Sequence, residues 1–424
     1  MLLIKNCRII DPANQLDQIG DIAIKDGVIE AVGQVDENQP YDRIIDASGF
    51  IAAPGLIDVH VHFRDPGFTY KEDLMSGSLA AARGGFTSVL CMANTSPIAD
   101  NAAVIKDIQE RSKDCPVHLY QAAAISKGFK GKELTDMKQL KEMGVRCFTD
   151  DGLPLMNAGL VREAMVQAAS LDCVLSFHEE DPAFVHGSGI NEGAVSEAMG
   201  LMGAMRDAEN VMVARDCMLV AATGASVSIQ HISSKEAVAM VRFAKQLNPK
   251  IVAEVTPHHF TLNETAVQKV GTLAKMNPPL REEADRQAIL AGLQDNTIEI
   301  IATDHAPHSA EEKNREFVKA PSGIIGLETS LALGISELVH KKILTMSQLI
   351  EKMSVNPARV YKLPGGTLSV GAAADLVLFD ENEKWQVADF ASKANNSPFI
   401  GWKLNGKVKM TVLAGKVVYE DGAE

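Results

Sequence analysis

A chain of 424 residues that is 46% hydrophobic and only 5% aromatic can bury a large core, and it is long enough for one barrel-sized domain and a smaller one. Its formal net charge of −14 argues against nucleic acid or an anionic membrane as the main partner, because both need clustered positive charge. An anionic substrate must therefore meet local positive charge. The N-terminus lacks a long apolar region with a cleavage site, and no apolar run approaches about 18 residues, so we expect a cytoplasmic protein.

The two ends of the chain have the same pattern of short apolar runs. Up to residue 50, short apolar runs alternate with turns, punctuated by Asp26-Gly27, which is typical of a small antiparallel sheet. Short apolar runs return after the break at 363–366. The sequence therefore predicts one small β-sandwich domain built from both termini, with its halves at 1–53 and 364–424.

Between these ends, short apolar runs alternate with amphipathic segments of helical length, the form of repeated βα units. The eight runs lie at 56–62, 87–92, 117–123, 145–149, 173–178, 227–232, 251–256 and 298–303. They predict an α/β fold, a (β/α)8 TIM-type barrel over residues 54–363. The long connections 179–208 and 306–324 follow the fifth and eighth runs, so we expect both to cover the active face. The six scattered cysteines include no Cys-x-x-Cys pair and are expected to be reduced core thiols.

The first barrel strand ends in a His-x-His motif, whose period of two puts His60 and His62 on one side of the strand. Two neutral imidazoles there can share one Zn²⁺ at about 2.0–2.1 Å. The motif alone leaves open that both are solvated or core histidines.

Polar residues also end four other predicted strands: Asp150-Asp151-Gly152, His178, His231 and Asp304. Singly they have plainer interpretations, as a turn, as structural histidines and as a helix cap. Four histidines and two carboxylates at one face of a barrel, in a chain with 11 histidines, together match the ligands of a binuclear zinc site.

The motifs around these residues resemble the amidohydrolase superfamily, and within it the bacterial long-chain (class I) dihydroorotase family. Matching stretches cover essentially the whole chain, at 54–67, 92–95, 148–152, 178–180, 231–233, 276–281, 302–308 and 371–376. The His-x-His motif alone is typical of the superfamily. The narrower motifs are His-Val-His-Phe-Arg-Asp-Pro-Gly at 60–67 and Asn-Pro-Pro-Leu-Arg at 277–281.

The resemblance implies two zinc ions held by six side chains: His60, His62 and Asp304 for one, His178 and His231 for the other, and Asp151 bridging them. Much of the superfamily uses a carboxylated lysine as the bridge, but the segment 146–152 contains no lysine. Asp150 is less favoured than Asp151 because the family pattern places the ligand next to the glycine.

The reaction implied is the interconversion of N-carbamoyl-L-aspartate with (S)-dihydroorotate and water, in de novo pyrimidine (UMP) biosynthesis. Asp304 is the expected proton shuttle. The expected substrate-binding residues are His62, Arg64, Asn94, Asn277, His308, Ser322 and Gly323. Of these, Arg64 offers a planar fork for the substrate carboxylate, with Asn94 and His308 as further donors.

Two other functions stay open: another cyclic-amide hydrolase, such as an allantoinase or hydantoinase, and a non-catalytic barrel that partners a pyrimidine enzyme. The resemblance also suggests a homodimer and leaves an association with aspartate transcarbamoylase open. His258, His259 and His305 are expected to be structural or to support the ligands.

Overall fold

The computed structural model describes residues 1–423, so the last residue of the predicted segment 364–424 lies outside it. Over these residues the strands are β1 Leu2–Asp11, β2 Leu16–Lys25, β3 Val28–Gly33, β4 Arg43–Asp46, β5 Ile51–Pro54, β6 Leu56–Val61, β7 Phe86–Cys91, β8 His118–Gln121, β9 Cys147–Phe148, β10 Val174–Phe177, β11 Ser226–Ile229, β12 Ile251–Val255, β13 Ile300–Ile301, β14 Leu376–Gln386, β15 Lys403–Leu413 and β16 Lys416–Glu420. Each of the eight predicted central runs overlaps one strand.

Strands from both chain ends share a single hydrogen-bonded sheet of eight strands, in the order β16-β15-β14-β5-β1-β2-β3, with β4 paired to β1. The two halves meet where β5 pairs antiparallel with β14. Positive φ angles at Asp26 and Gly27 turn β2 into β3, as the Asp-Gly pair predicts. The strands β4 and β5 were not predicted individually, and β1 is one long strand whose register against β2 shifts between Ile4 and Cys7.

The central strands β6 to β13 pair in parallel in two sheets, β6-β7-β8 and β13-β12-β11-β10-β9. Their residues are almost all buried, as in parallel strands covered on both faces. Single parallel bridges connect the two sheets at both edges, between Ala123 and Phe148 and between Val61 and His305. The carboxyl ends of the eight strands therefore face the same side.

Helices follow these strands: α1 Leu74–Arg83, α2 Ala102–Arg111, α3 Met137–Glu142, α4 Ala158–Leu171, α5 Ala194–Ala198, α6 Asp207–Thr223, α7 Lys235–Leu247, α8 Pro257–Thr261, α9 Ala266–Val270, α10 Glu283–Gln294, α11 Ala310–Lys313, α12 Ser330–Leu333, α13 Met346–Ile350 and α14 Asn356–Tyr361. Side-chain caps mark where several of them begin: Asp73 and Ser76 form a capping box at the N-terminus of α1, and Ser234 caps α7. The long connections 179–208 and 306–324 contain the short helices α5 and α11.

All six cysteines of the described chain are free and buried, in agreement with the expected core thiols. Within residues 1–423, no helix combines the length and the apolar character needed to cross a membrane.

Candidate metal centre

Two groups of buried side chains could each hold a metal ion, and they share one carboxylate. The first is His60, His62 and Asp151, and the second is Asp151, His178 and His231. In each group the ligand atoms lie within 4.8 Å of one another. Asp151 therefore lies between the two pairs of histidines.

The strand ends bring these residues together. His60 lies in β6, and His178 and His231 follow β10 and β11. Asp304 follows β13 with a φ of 48°, and His231 has a φ of 31°. Left-handed backbone is unfavourable for residues other than glycine, and it persists where the surrounding structure enforces it, often at functional sites.

The surroundings of the two ring nitrogens of His60 suit a metal ligand. Its Nδ1 lies 2.6 Å from Glu254 Oε1, whereas its buried Nε2 has no hydrogen-bond partner among the described residues. That Nε2 lies 3.5 Å from both Asp151 Oδ1 and Asp304 Oδ1. If Nδ1 carries the proton and donates it to the Glu254 carboxylate, the lone pair of Nε2 is free and faces the two aspartates. Histidine ligands of metals are commonly oriented by such a hydrogen bond from the other ring nitrogen to a carboxylate. The donor set fits a divalent metal such as zinc.

Asn94 orients the second histidine in the same way. Its Oδ1 lies 3.0 Å from His62 Nδ1, and its Nδ2 donates to Asp151 Oδ2 at 3.3 Å. The His62 Nε2 then faces Asp304 Oδ1 at 2.9 Å and Asp151 Oδ2 at 3.4 Å. Asn94 thus contacts two candidate ligands directly.

His178 and His231 form the other half of the centre. His178 Nδ1 lies 2.9 Å from His231 Nε2, and these atoms are 3.8 and 3.9 Å from Asp151 Oδ1. His178 Nε2 contacts Glu180 Oε2 at 3.4 Å. Two ring nitrogens converging on one carboxylate oxygen again form a set of metal donors.

The two aspartates are held in the ionised form. Burial by itself raises the pKa of Asp151, but the neighbouring His60, His231 and His62 bring it well below its usual value. For Asp304 too, burial is outweighed by His60 and His62, and the pKa is lowered. Both groups are therefore available as carboxylates.

Asp150 does not join the centre. Its Oδ1 accepts hydrogen bonds from the backbone N–H groups of Ile125 and Ser126 at 2.7 and 3.0 Å. Of the two adjacent aspartates, only Asp151 faces the histidines.

A cavity of about 230 Å³ opens above the centre. It is lined by His62, Arg64, Asn94, Asp151, Gly152, His178, His231, Asn277, Asp304, Ala306, His308, Ser322 and Gly323. Every residue predicted to bind metal or substrate lines this cavity except His60, which is fully buried. Arg64 is half-buried and has a positive φ of 52°. Its guanidinium makes two long protein contacts, from Nε to Pro307 O at 3.4 Å and from one terminal nitrogen to His308 Nε2 at 3.5 Å.

His308 is engaged differently from its predicted role as a donor to substrate. Its Nε2 donates to Ser322 O at 2.8 Å, and its Nδ1 lies 3.3 Å from the ammonium of Lys71. Burial and the charges of Arg64 and Lys71 lower the pKa of His308 to about 2, so the ring is neutral. Its Nε2 proton is therefore already used within the protein.

The predicted long connections meet at the mouth of the cavity. Ser188, in the first connection, accepts a hydrogen bond from Asn277 Nδ2 at 3.1 Å and lies 3.4 Å from Ser322 Oγ in the second. His305 and His259 have structural partners instead: His305 Nδ1 accepts from Gly326 N–H at 3.2 Å, and His259 Nε2 contacts Pro278 O at 3.1 Å.

Sequence reasoning missed Glu254, Ser188 and Lys71. Glu254 carried a usable signal, because a carboxylate inside a strand buried on both faces needs a partner. Ser188 and Lys71 lie in polar connections that contain many similar residues, so nothing local distinguishes them.

Comparison with known proteins shows the family to which this chain belongs. A model of "Dihydro-orotase-like" proteins matches residues 49–237, and a model of the "Amidohydrolase family" matches residues 338–419. The chain is 61% identical over 419 residues to a dihydroorotase of Clostridioides difficile, covering 99% of this chain and all of that protein. It is 50% identical over 426 residues to a dihydroorotase of Clostridium acetobutylicum, with the same coverage.

Among solved structures, an L-hydantoinase (dihydropyrimidinase) from Arthrobacter aurescens matches with a TM-score of 0.90 at 24% identity, over 100% of this chain and 96% of that one. A dihydropyrimidinase from Brevibacillus agri matches with a TM-score of 0.85 at 21% identity, over 99% and 95%. At these identities the two structures show a shared fold only. The full-length sequence relatives go further, and from them the chain belongs to the dihydroorotase family within the amidohydrolases.

Proposed function

We propose that the protein interconverts N-carbamoyl-L-aspartate and (S)-dihydroorotate in pyrimidine biosynthesis, with two zinc ions per chain. Members of its family are hydrolases that act on a cyclic amide. The observation that carries the proposal is one cavity that holds both the candidate metal ligands and Arg64. A small anionic cyclic amide matches that combination.

In this proposal His60, His62 and Asp304 hold one ion, His178 and His231 hold the second, and Asp151 bridges them. Bound there, zinc would lower the pKa of a water molecule and polarise the amide carbonyl. Glu254 and Asn94 contribute by keeping the Nδ1 protons of His60 and His62 away from the metal side.

In this proposal Asp304 transfers the proton between the attacking water and the ring nitrogen. Its ionised carboxylate lies at the floor of the cavity, where it can accept the proton of the attacking water. In the hydrolytic direction it then hands that proton to the departing ring nitrogen, and ring closure runs through the same steps in reverse.

Arg64 binds the substrate carboxylate. Its guanidinium faces the cavity, and its two contacts within the protein, to Pro307 O at 3.4 Å and His308 Nε2 at 3.5 Å, are long enough to leave its donors available to a ligand. Asn277, Ser322 and Gly323 lie across the cavity and are suited to contact the ring edge. Since the Nε2 proton of His308 is bonded to Ser322, His308 acts mainly by shaping this wall.

The strand pairings also support a proposal about the complete fold. We propose that β6 to β13 close into a (β/α)8 barrel over residues 54–363, and that the terminal sheet folds into a small sandwich from 1–53 and 364–424. A homodimer, an association with aspartate transcarbamoylase and a cytoplasmic location stay predictions of the family resemblance.

The test is to measure metal content and turnover on the same purified protein. We expect about two zinc equivalents per chain and a strong preference for dihydroorotate over hydantoin, allantoin and dihydrouracil. His231→Ala should lose mainly one equivalent. Full activity with one metal or none would contradict the two-ion site, whereas a preference for hydantoin would favour the hydantoinase alternative.

A further inference from the structure

The connection between β14 and β15 leaves the terminal sheet and reaches the wall of the cavity. At its far end lies Asn396, which is 1% exposed. The Glu72 and Glu328 carboxylates anchor the same connection upstream, at the backbone N–H groups of Lys393 and Ala391, at 3.3 and 2.9 Å. Asn396 is therefore presented from a fixed support.

The Asn396 side chain ties together the two ends of the 306–324 connection, which carry His308 at one end and Gly323 at the other. Its Nδ2 donates to Ala306 O and to Gly323 O, both at 3.1 Å. Its Oδ1 accepts from the His308 N–H at 3.2 Å, and its backbone carbonyl accepts from the Ile325 N–H at 3.1 Å. A primary amide offers two donors and an acceptor at once, and all three are used here.

These bonds reinforce two direct bonds between the same cavity walls, from the Ala306 N–H to Ile324 O and from His308 Nε2 to Ser322 O, both at 2.8 Å. Ala306 and His308 line one side of the junction and Gly323 the other. The loops are already in close contact, since a Cβ at Gly323, which has a φ of 125°, would lie 2.7 Å from Ala306 Cβ. The amide therefore locks a junction that tolerates little displacement.

Lys313 holds only one of these walls. Its ammonium donates to Pro321 O and Gly323 O at 3.0 Å, but it forms no bond to the 306–308 loop. Asn396, by contrast, donates to both walls from outside the 306–324 connection, at Ala306 O and Gly323 O.

We propose that Asn396 is a positioning residue that sets the substrate-binding wall through Gly323 and His308, without touching substrate. The inference rests on the proposed function, since it assumes that this wall binds the cyclic amide. Contacts to parts of the substrate that do not react are made equally in the ground state and the transition state, and their loss raises KM while leaving kcat unchanged.

The test is steady-state kinetics of the metal-loaded enzyme carrying Asn396→Ala, with Asn395→Ala as the matched control. Asn395 is the adjacent asparagine, but it is exposed. We expect Asn396→Ala to raise KM by roughly 10- to 100-fold, the scale of a small misplacement of binding groups. Its kcat and metal content should stay near wild type, and Asn395→Ala should change neither constant.

A second variant keeps the inference falsifiable if the alanine variant does not fold. Asn396→Asp keeps the acceptor for the His308 N–H but loses both donors, so it should also raise KM selectively. A fall in kcat at unchanged KM in either variant would indicate a merely structural role and would overturn the inference, as would wild-type kinetics in both.

Kinetics are run with dihydroorotate and with dihydrouracil. A wild-type enzyme that turns over only dihydrouracil would sink the proposed function. In that case a selective rise in KM for dihydrouracil in the Asn396 variants would still support the positioning role. Failure of the proposed function can therefore be distinguished from failure of the inference about Asn396.

Discussion

Replacing Arg64 with methionine tests the substrate grip most directly. Arg64 is half-buried beside the candidate metal ligands and has only two long contacts within the protein, of 3.4 and 3.5 Å, so its loss should disturb the fold little. Methionine keeps much of the bulk but removes the planar fork. A hydrogen bond to a charged group contributes about 1.5–3 kcal/mol. Losing a bidentate pair should therefore cost about 3–6 kcal/mol, or roughly 10²- to 10⁴-fold in kcat/KM.

The assay compares dihydroorotate with dihydrouracil, which lacks the carboxylate. A site with unpaired donors rejects such a deficient analogue by about 10⁴–10⁵. Arg64→Met should lose most of that discrimination, because only the reaction of the carboxylate-bearing substrate slows. Zinc content should not change.

The control is Arg315→Met in the 306–324 connection, where Arg315 is half exposed and lies 3.7 Å from the exposed Glu311. It makes the same change in charge without touching the cavity and should leave kcat/KM near wild type. An equal fall on both substrates in Arg64→Met, or near-normal efficiency on dihydroorotate, would refute the carboxylate grip.

Three further variants probe the groups around the cavity. Asp304→Asn keeps an oxygen for the metal but removes the base, so turnover should fall by about 10²–10⁴ with metal retained by elemental analysis; near-normal turnover would exclude the shuttle. Glu254→Gln should weaken metal affinity by about 10- to 100-fold in a chelator competition, and unchanged affinity would refute the orienting role of Glu254. Burial lowers the pKa of Lys313 from 10.5 to about 7. Between these pH values the side chain is neutral in the folded protein and protonated in the unfolded chain, so unfolding takes up a proton and the stability of the fold rises with pH. The free energy of unfolding of the wild type, relative to Lys313→Met, should increase from pH 7 to 10 by up to about 1.4 kcal/mol per unit in denaturant titrations; a flat difference would contradict it.

The sequence predicts much of the central fold because its signals there are local. A buried parallel strand is a short apolar run, and each of the eight runs overlaps a strand. The carboxyl ends of parallel strands meet at one edge, so polar residues that end those runs fall together. This is why His178 and His231, which are 53 positions apart, have ring nitrogens 2.9 Å apart.

The helix α6 shows where the local signal fails. Its buried face includes Glu209 and Asp216, which interrupt the apolar stripe expected of an amphipathic helix. Glu209 is buried because it caps the next unit, accepting from the Ser233 N–H at 2.8 Å. A carboxylate used in this way is expected at the solvent in a sequence pattern, so the apolar spacing of α6 does not identify its buried face.

The cavity walls show a second limit. Asn396 meets Ala306 and Gly323 across 90 and 73 positions, and Ser188 meets Asn277 across 89. These are contacts between connections, whose residues have no periodicity that could place them.

Local charge explains how an acidic chain can bind an anion. The net charge is −14, yet Arg64 faces the cavity and the Lys71 ammonium lies behind it, against His308. His308 adds no charge, because burial and these two cations keep it neutral. The sequence identified His308 as a donor by residue type, but the proton it could offer is bonded to Ser322 O. We therefore expect discrimination for the carboxylate to depend mainly on Arg64, so that a change in that one side chain should separate dihydroorotate from its uncharged analogue.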